Sequence, residues 1–272
     1  MSPPPDAPGA VLDRPVPSSI DPRMRARRIA VRRSDARKRL HRLIAFASAM
    51  GLLAAVMIAL RSPLLDVDRI TVTGADHTGA DVVRAATGIG HHLPMIDVDT
   101  GAARAKLLAL PWVADALVTR HWPGTVEVRI KERTPVAAEP AGQGGFALID
   151  ATGRVLGVEP GPPAGIVQLA GLPPAGQPGT TEPAAATPAL TVARALPASL
   201  GPRVGSIVVI EGGDVELRLV DAGAVRLGAP DDLPAKLVAA ITVLEQVDLT
   251  NVCTIDVRVP TAPSLTRGSP CL

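Results

Sequence analysis

Aromatic residues and cysteines are scarce in this 272-residue sequence. The aromatic residues are Phe46, Trp112, Trp122 and Phe146, and there is no tyrosine. A folded core must therefore be built from Val, Leu, Ile and Ala, and the chain lacks the aromatic platform on which single-stranded nucleic acids stack. The two cysteines, Cys253 and Cys271, are too few to predict a disulfide framework. Cys253 alternates with aliphatic residues, which favours burial as a small apolar side chain, but a C-terminal tail that folds back would bridge the two cysteines.

The common catalytic and metal-binding motifs are also absent. The sequence contains no G-x-S-x-G, H-E-x-x-H, P-loop, C-x-x-C or strand-linked G-x-G-x-x-G pattern. The neighbouring His91 and His92 would point apart on an extended chain, so they make a poor metal pair. We therefore expect no enzymatic activity, cofactor, metal or small-molecule substrate. A membrane-tethered cell-wall hydrolase stays as an alternative, because convergent active sites need no local signature.

What the sequence does contain is one long apolar run, residues 43–60, with 18 residues and no charge. As a helix it would span roughly 27 Å, close to the ~30 Å hydrocarbon core of a bilayer. A cleaved signal peptide is the rival interpretation. However, 42 residues come first, and no small-x-small cleavage site follows. We therefore predict an uncleaved transmembrane helix over 43–60.

Charge is distributed very unevenly about this run. Residues 1–42 hold 11 Lys and Arg against 4 Asp and Glu, whereas the rest of the chain holds 17 basic and 22 acidic residues. Basic flanks stay in the cytoplasm, which predicts a single-pass type II protein with its C-terminal region outside. We expect 1–42 to be a disordered basic cytoplasmic tail with affinity for anionic lipid rather than for nucleic acid.

The sequence patterns predict two α+β domains in the exterior region. Strand and helix patterns predict a small β-α-α-β-β unit over 65–134, in which two helices cover one face of a three-stranded sheet. A larger, mostly antiparallel β domain with flanking helices follows over 135–260. It includes a hairpin at 145–158 and a Pro-rich connection, 159–189, with little structure of its own. Residues 261–272 are a C-terminal tail.

The stretch LPWVADALVTRHWPGTVEVRIKERTPVA, residues 110–137, resembles the FtsQ (DivIB) family of bacterial cell-division proteins. The matching positions in that pattern are Arg120, Trp122, Pro123, Thr125, Glu132, Arg133, Pro135, Val136 and Ala137. The resemblance implies a POTRA domain at 65–134 and a β domain at 135–260. It also implies a non-enzymatic scaffold in the cell membrane at the division septum, linking FtsB and FtsL to septal peptidoglycan synthase components. A POTRA-containing component of a secretion or outer-membrane assembly system is the alternative, although such proteins usually lack an N-terminal anchor.

The resemblance further implies a partner-binding strand near the C-terminus. If nothing pairs with the last strand, its free backbone groups can accept a strand from FtsB. The candidate residues are Thr254, Ile255, Asp256, Val257, Arg258 and Val259. Arg258 would pair with a partner carboxylate, with Val259 as a further contact. Alternatively, Arg258 is a solvated edge charge, or Asp256 holds it within its own strand.

Overall fold

The computed structural model describes residues 22–142, 144–221 and 223–268. The chain divides after Leu60 into an N-terminal unit and a second unit, Arg61–Leu272, which holds both of the domains that we predicted to be exterior. The first helix, α1, runs from Pro22–Leu60, and its part Lys38–Leu60 is long and apolar enough to cross a membrane. The prediction of an irregular tail up to residue 42 is wrong from Pro22 onward. After Pro22 this stretch has no glycine or proline and is rich in Arg and Ala, which favour a helix. Residues 1–21 lie outside the described part.

The first exterior domain has the predicted β-α-α-β-β order. Its elements are β1 Arg69–Thr73, α2 Ala80–Thr87, α3 Thr100–Ala109, β2 Val113–His121 and β3 Thr125–Glu132. The strands lie in the order β1-β3-β2, with β1 parallel and β2 antiparallel to β3. The helix faces carrying Val83 and Leu107 pack with the sheet residues Val126 and Val128 into one buried cluster. Asp99 caps α3 by accepting a hydrogen bond from the Ala102 N–H at 2.9 Å.

The second exterior domain is a nine-stranded sheet with helices on one face. The strands are β4 Pro135–Pro140, β5 Phe146–Asp150, β6 Val155–Glu159, β7 Val167–Ala170, β8 Val204–Val209, β9 Val215–Leu219, β10 Ala224–Gly228, β11 Val252–Asp256 and β12 Ser264–Arg267. The helices are α4 Thr187–Ala195 and α5 Leu233–Gln246. The order β12-β11-β10-β9-β8-β7-β4-β5-β6 contains five antiparallel and three parallel pairings. The α+β fold class is thus confirmed, as is the hairpin formed by β5 and β6.

The Pro-rich connection 159–189 has more structure than we predicted. Its strand β7 lies in the middle of the sheet, parallel to both β4 and β8. A later stretch follows the outer side of β6, where the Val155 N–H donates to the Thr180 carbonyl at 2.9 Å. The prediction failed because β7 has only four residues between glycine- and proline-rich flanks, too few for a periodic pattern.

Candidate partner-binding edge

The strand that carries the predicted site residues is not the edge of the sheet. Strand β11 pairs on one side with β10 and on the other with β12, which occupies the border that we predicted to be free. The predicted strand also ends at Asp256, three residues early. Ile255 and Val257 are 1% and 0% exposed and belong to the core, so they cannot contact a partner. The expectation of an open edge at 254–259 is therefore wrong for this fold.

The edge itself is β12, Ser264–Arg267, and all four of its side chains are exposed. It is antiparallel to β11, with Leu265 opposite Ile255 and Thr266 opposite Thr254. The Arg267 guanidinium anchors the strand by donating to the carbonyls of Asp248, at 3.0 Å, and Thr250, at 3.3 Å. Within the described residues no strand lies beyond β12, so its outward backbone groups can pair with another chain.

Arg258 and Asp256 form a pair within the turn that leads from β11 to β12. The Arg258 guanidinium donates to both carboxylate oxygens of Asp256 at 2.7 to 3.1 Å, and its backbone N–H donates to the same carboxylate at 3.0 Å. These hydrogen bonds hold the pKa of Asp256 below its ordinary value, against the opposing effect of partial burial. Of the alternatives for Arg258, the structure contains the internal pair. Arg258 and Val259 remain more than half exposed beside this turn.

Cys253 lies in β11, beside the end of β12. It is disulfide-bonded, and its sulfur lies 3.6 Å from the carbonyl oxygen of Gly268, just after β12. The other cysteine of the sequence, Cys271, lies outside the described residues.

The opposite border of the nine-stranded sheet is β6, and it is partly covered. Residues 179–181 run beside the start of β6, where the Gly179 N–H donates to the Val155 carbonyl at 2.8 Å. Farther along the strand Val158 is 46% exposed. The sheet thus has two borders of different character. Among the described residues, β12 is exposed along its whole length and is anchored by Arg267, whereas the start of β6 is covered.

The signature stretch 110–137 lies at the junction of the two exterior domains. Trp112 stacks on the His77 ring with 4.4 Å between ring centroids, and it packs against Gly157 of β6. Arg133 donates to the Val113 carbonyl at 3.2 Å and to the buried Asp150 carboxylate at 2.6 Å. These contacts fix the first domain to the β5–β6 hairpin of the second.

Glu132 of the signature closes the loop that holds His77. Its carboxylate accepts hydrogen bonds from the backbone N–H groups of His77 and Thr78 and from the Thr78 hydroxyl, at 2.7 to 3.1 Å. Although burial opposes ionisation, these bonds hold the pKa of Glu132 below its ordinary value. The signature residues with described contacts thus support the architecture and do not form a reactive cluster.

Comparisons with known proteins agree with this architecture. One family profile, "POTRA domain, FtsQ-type", matches residues 65–133. A second, "Cell division protein FtsQ/DivIB, C-terminal", matches residues 139–258. The chain belongs to the FtsQ family of cell division proteins.

Three relatives named cell division protein FtsQ illustrate the range of similarity within the family. That of Corynebacterium glutamicum is 31% identical over 189 residues, covering 68% of this chain and 81% of the relative. That of Mycobacteroides abscessus is 31% identical over 248 residues, covering 79% and 78%. That of Streptomyces collinus is 28% identical over 238 residues, covering 84% and 88%.

We therefore call the first domain the POTRA domain. The family and the single candidate membrane span together indicate a membrane-associated cell-division protein. The FtsQ C-terminal profile ends at residue 258, before β12. The sequence analysis did not predict β12, because this strand has only four residues and one aliphatic side chain, Leu265. Such a short stretch has no alternation that would distinguish a strand from an irregular tail.

Proposed function

We propose that this chain is a non-enzymatic scaffold of the division machinery that binds a partner by strand addition at β12. Its partners would be FtsB- and FtsL-like division proteins, which the scaffold links to septal peptidoglycan synthase components. It would act as a single-pass protein of the cell membrane at the septum, with the basic N-terminus in the cytoplasm. Family membership supports the division role, and the charge asymmetry supports the orientation.

The observation that carries the proposal is the state of β12. The strand has four exposed side chains, lies at the border of the sheet and is anchored by Arg267. Because the strand is held in place, a partner strand that pairs with it pays little ordering cost on the scaffold side. Backbone hydrogen bonds supply affinity in this mode, while side chains on alternate positions supply specificity.

The six residues that we predicted from the sequence take different roles in this proposal. Asp256, Arg258 and Val259 border the β11–β12 turn, so they flank the β12 edge and remain proposed partner contacts. Thr254 is half-buried opposite Thr266. Ile255 and Val257 support β12 from the core.

The test uses the full-length chain in nanodiscs and a peptide covering the exterior segment of an FtsB-like partner. Leu265→Pro and Thr266→Pro each remove one backbone N–H, and in an antiparallel strand adjacent residues point these groups in opposite directions. We expect the variant that loses the outward N–H to bind the peptide roughly five- to thirtyfold more weakly, because it loses about 1–2 kcal/mol. Leu265→Ala should weaken binding less.

Val158→Pro on the opposite border is the matched control. It introduces the same backbone change at an exposed residue of the other edge strand, so it should leave peptide binding unchanged. If both β12 proline variants bind as tightly as the wild type, strand addition at this edge is wrong. A purified chain that degrades cell wall would favour the hydrolase alternative instead.

A further inference from the structure

Three segments meet at the end of the POTRA sheet that follows the transmembrane candidate, and we call this the proximal end. They are residues 61–68, the loop 91–97 and the β2–β3 turn 121–124. The Val67 N–H donates to the Leu93 carbonyl at 2.9 Å, and the Asp68 N–H donates to the Gly124 carbonyl at 2.8 Å. The proximal end is therefore one hydrogen-bonded surface rather than three independent loops.

Arg61 joins residues 61–68 to the loop 91–97. It directly follows Leu60, and its guanidinium donates to both oxygens of Asp97 at 3.1 and 3.2 Å. Arg120 adds a second link by donating to the Met95 carbonyl at 3.2 Å. Residues 61–68, the loop 91–97 and β2 are thus linked to one another by side-chain hydrogen bonds as well as by backbone ones.

Two large apolar side chains are exposed at the proximal end. Leu64 is 83% exposed and Trp122 is 51% exposed. The turn that carries Trp122 is pressed against the preceding segment. A Cβ on Gly124 would come within 2.7 Å of the Asp66 carbonyl oxygen, so glycine is required there. Trp122 is thus presented at this end by a tightly packed turn.

We propose that the proximal end of the POTRA domain contacts the lipid bilayer, with Trp122 and Leu64 inserted at the headgroup level. The headgroup region adds roughly 5–7 Å beyond the hydrocarbon core on each side, and Trp is enriched there because its ring is apolar with one polar N–H. Leu64 is four residues beyond Leu60 in the sequence, so the length of chain between them limits how far this surface can lie from the end of the apolar helix. The inference rests on the proposed membrane-spanning role of Lys38–Leu60.

The sequence offers an internal control, because it contains only two tryptophans. Trp122→Phe leaves Trp112, which is half-buried and stacked on His77 at the domain junction. Trp112→Phe leaves Trp122 as the sole reporter. Each single-tryptophan chain is reconstituted at full length into vesicles of phosphatidylglycerol and phosphatidylethanolamine, with or without brominated or headgroup spin-labelled lipid.

We expect lipid quenchers to reduce Trp122 fluorescence at least twofold and to leave Trp112 fluorescence unchanged. The difference between the wild type and Trp122→Phe gives the same comparison if Trp112→Phe fails to fold. Quenching of Trp122 by aqueous acrylamide but not by lipid would overturn the inference, because it would place the ring in water.

Vesicle flotation and protection of the basic tail from added protease separate this inference from the proposed topology. A chain that floats with the vesicles, binds the FtsB-like peptide and shows no lipid quenching of Trp122 refutes only the lipid contact. A chain that does not float refutes both the anchor and the lipid contact, whatever the result of peptide binding.

Discussion

Glu139 in β4 is a buried carboxyl whose protonation should control the stability of the exterior region. It is 1% exposed, and neither of its oxygens has a hydrogen-bond partner within the described residues. Burial, together with the nearby negative charge of Glu182, raises the pKa of Glu139 to about 8 from an ordinary value of 4.5. Glu182 belongs to the segment that lies along β6, where its N–H donates to the Gly153 carbonyl at 2.7 Å. The ionised pair therefore disfavours docking of this segment onto the sheet.

The direction of the pH effect follows from which state holds the proton more tightly. Because the pKa of Glu139 is higher in the folded state, the folded chain keeps a proton that the unfolded chain releases above pH 4.5. Stability from this group is complete below the unfolded pKa and declines until the pH passes about 8. At ~1.4 kcal/mol per pH unit, the loss between roughly pH 5 and pH 7.5 is about 3 kcal/mol.

Glu139→Gln keeps the shape of the side chain but cannot ionise, so the variant should lack this loss. The assay is urea unfolding of the full chain in detergent, followed by tryptophan fluorescence at several pH values from 5 to 8. We expect the variant to gain about 3 kcal/mol relative to the wild type across this range. Subtracting the two curves cancels the contribution of the histidines. Glu182→Gln should reduce the total loss of stability without abolishing it, because it lowers the folded pKa of Glu139 and so ends the loss at a lower pH. Parallel curves for wild type and Glu139→Gln would refute the reasoning.

Three further predictions concern the junction and the edge strand. Asp150→Ala leaves the half-buried Arg133 without its carboxylate, so the free energy of unfolding should fall by about 2–3 kcal/mol in urea titrations, whereas Asp81→Ala on an exposed helix pair should cost under about 1 kcal/mol. Trp112→Ala should increase protease cleavage between the two exterior domains, because it removes the stacked ring from their junction; unchanged digestion would contradict its structural role. Reducing the disulfide at Cys253 should speed amide hydrogen exchange in β12 but not in β6, as measured by mass spectrometry, and equal rates in both redox states would show that the bond does not hold the edge.

The sequence predicted the parts of the fold whose elements are long and periodic. The stripe of α5, with Leu233, Leu237 and Leu244 buried, and the alternation of β3, with Val126 and Val128 buried, both appear as expected. Each pattern repeats over at least two turns or three strand positions, so it identifies the element without tertiary information.

The candidate site could not be located in this way, because an edge is a property of the whole sheet. The alternation at 253–259 identified a strand, but only the neighbouring β12 shows that this strand is internal. The pair of Arg133 and Asp150 was equally invisible, since its members are 17 positions apart and meet only when β4 pairs with β5. Sequence patterns therefore gave the elements, while the order of strands and the interdomain contacts required the structure.

The junction explains why the signature lies far from the proposed binding edge. A scaffold that receives a partner strand at β12 must hold that strand at a defined place relative to the membrane, or the partner gains nothing from being captured. Trp112 and Arg133 join the POTRA domain to the β domain through short, specific contacts. The signature residues thus set the position of the β domain relative to the POTRA domain and take no part in a reaction. Altering them should therefore displace a β12 strand that is otherwise intact.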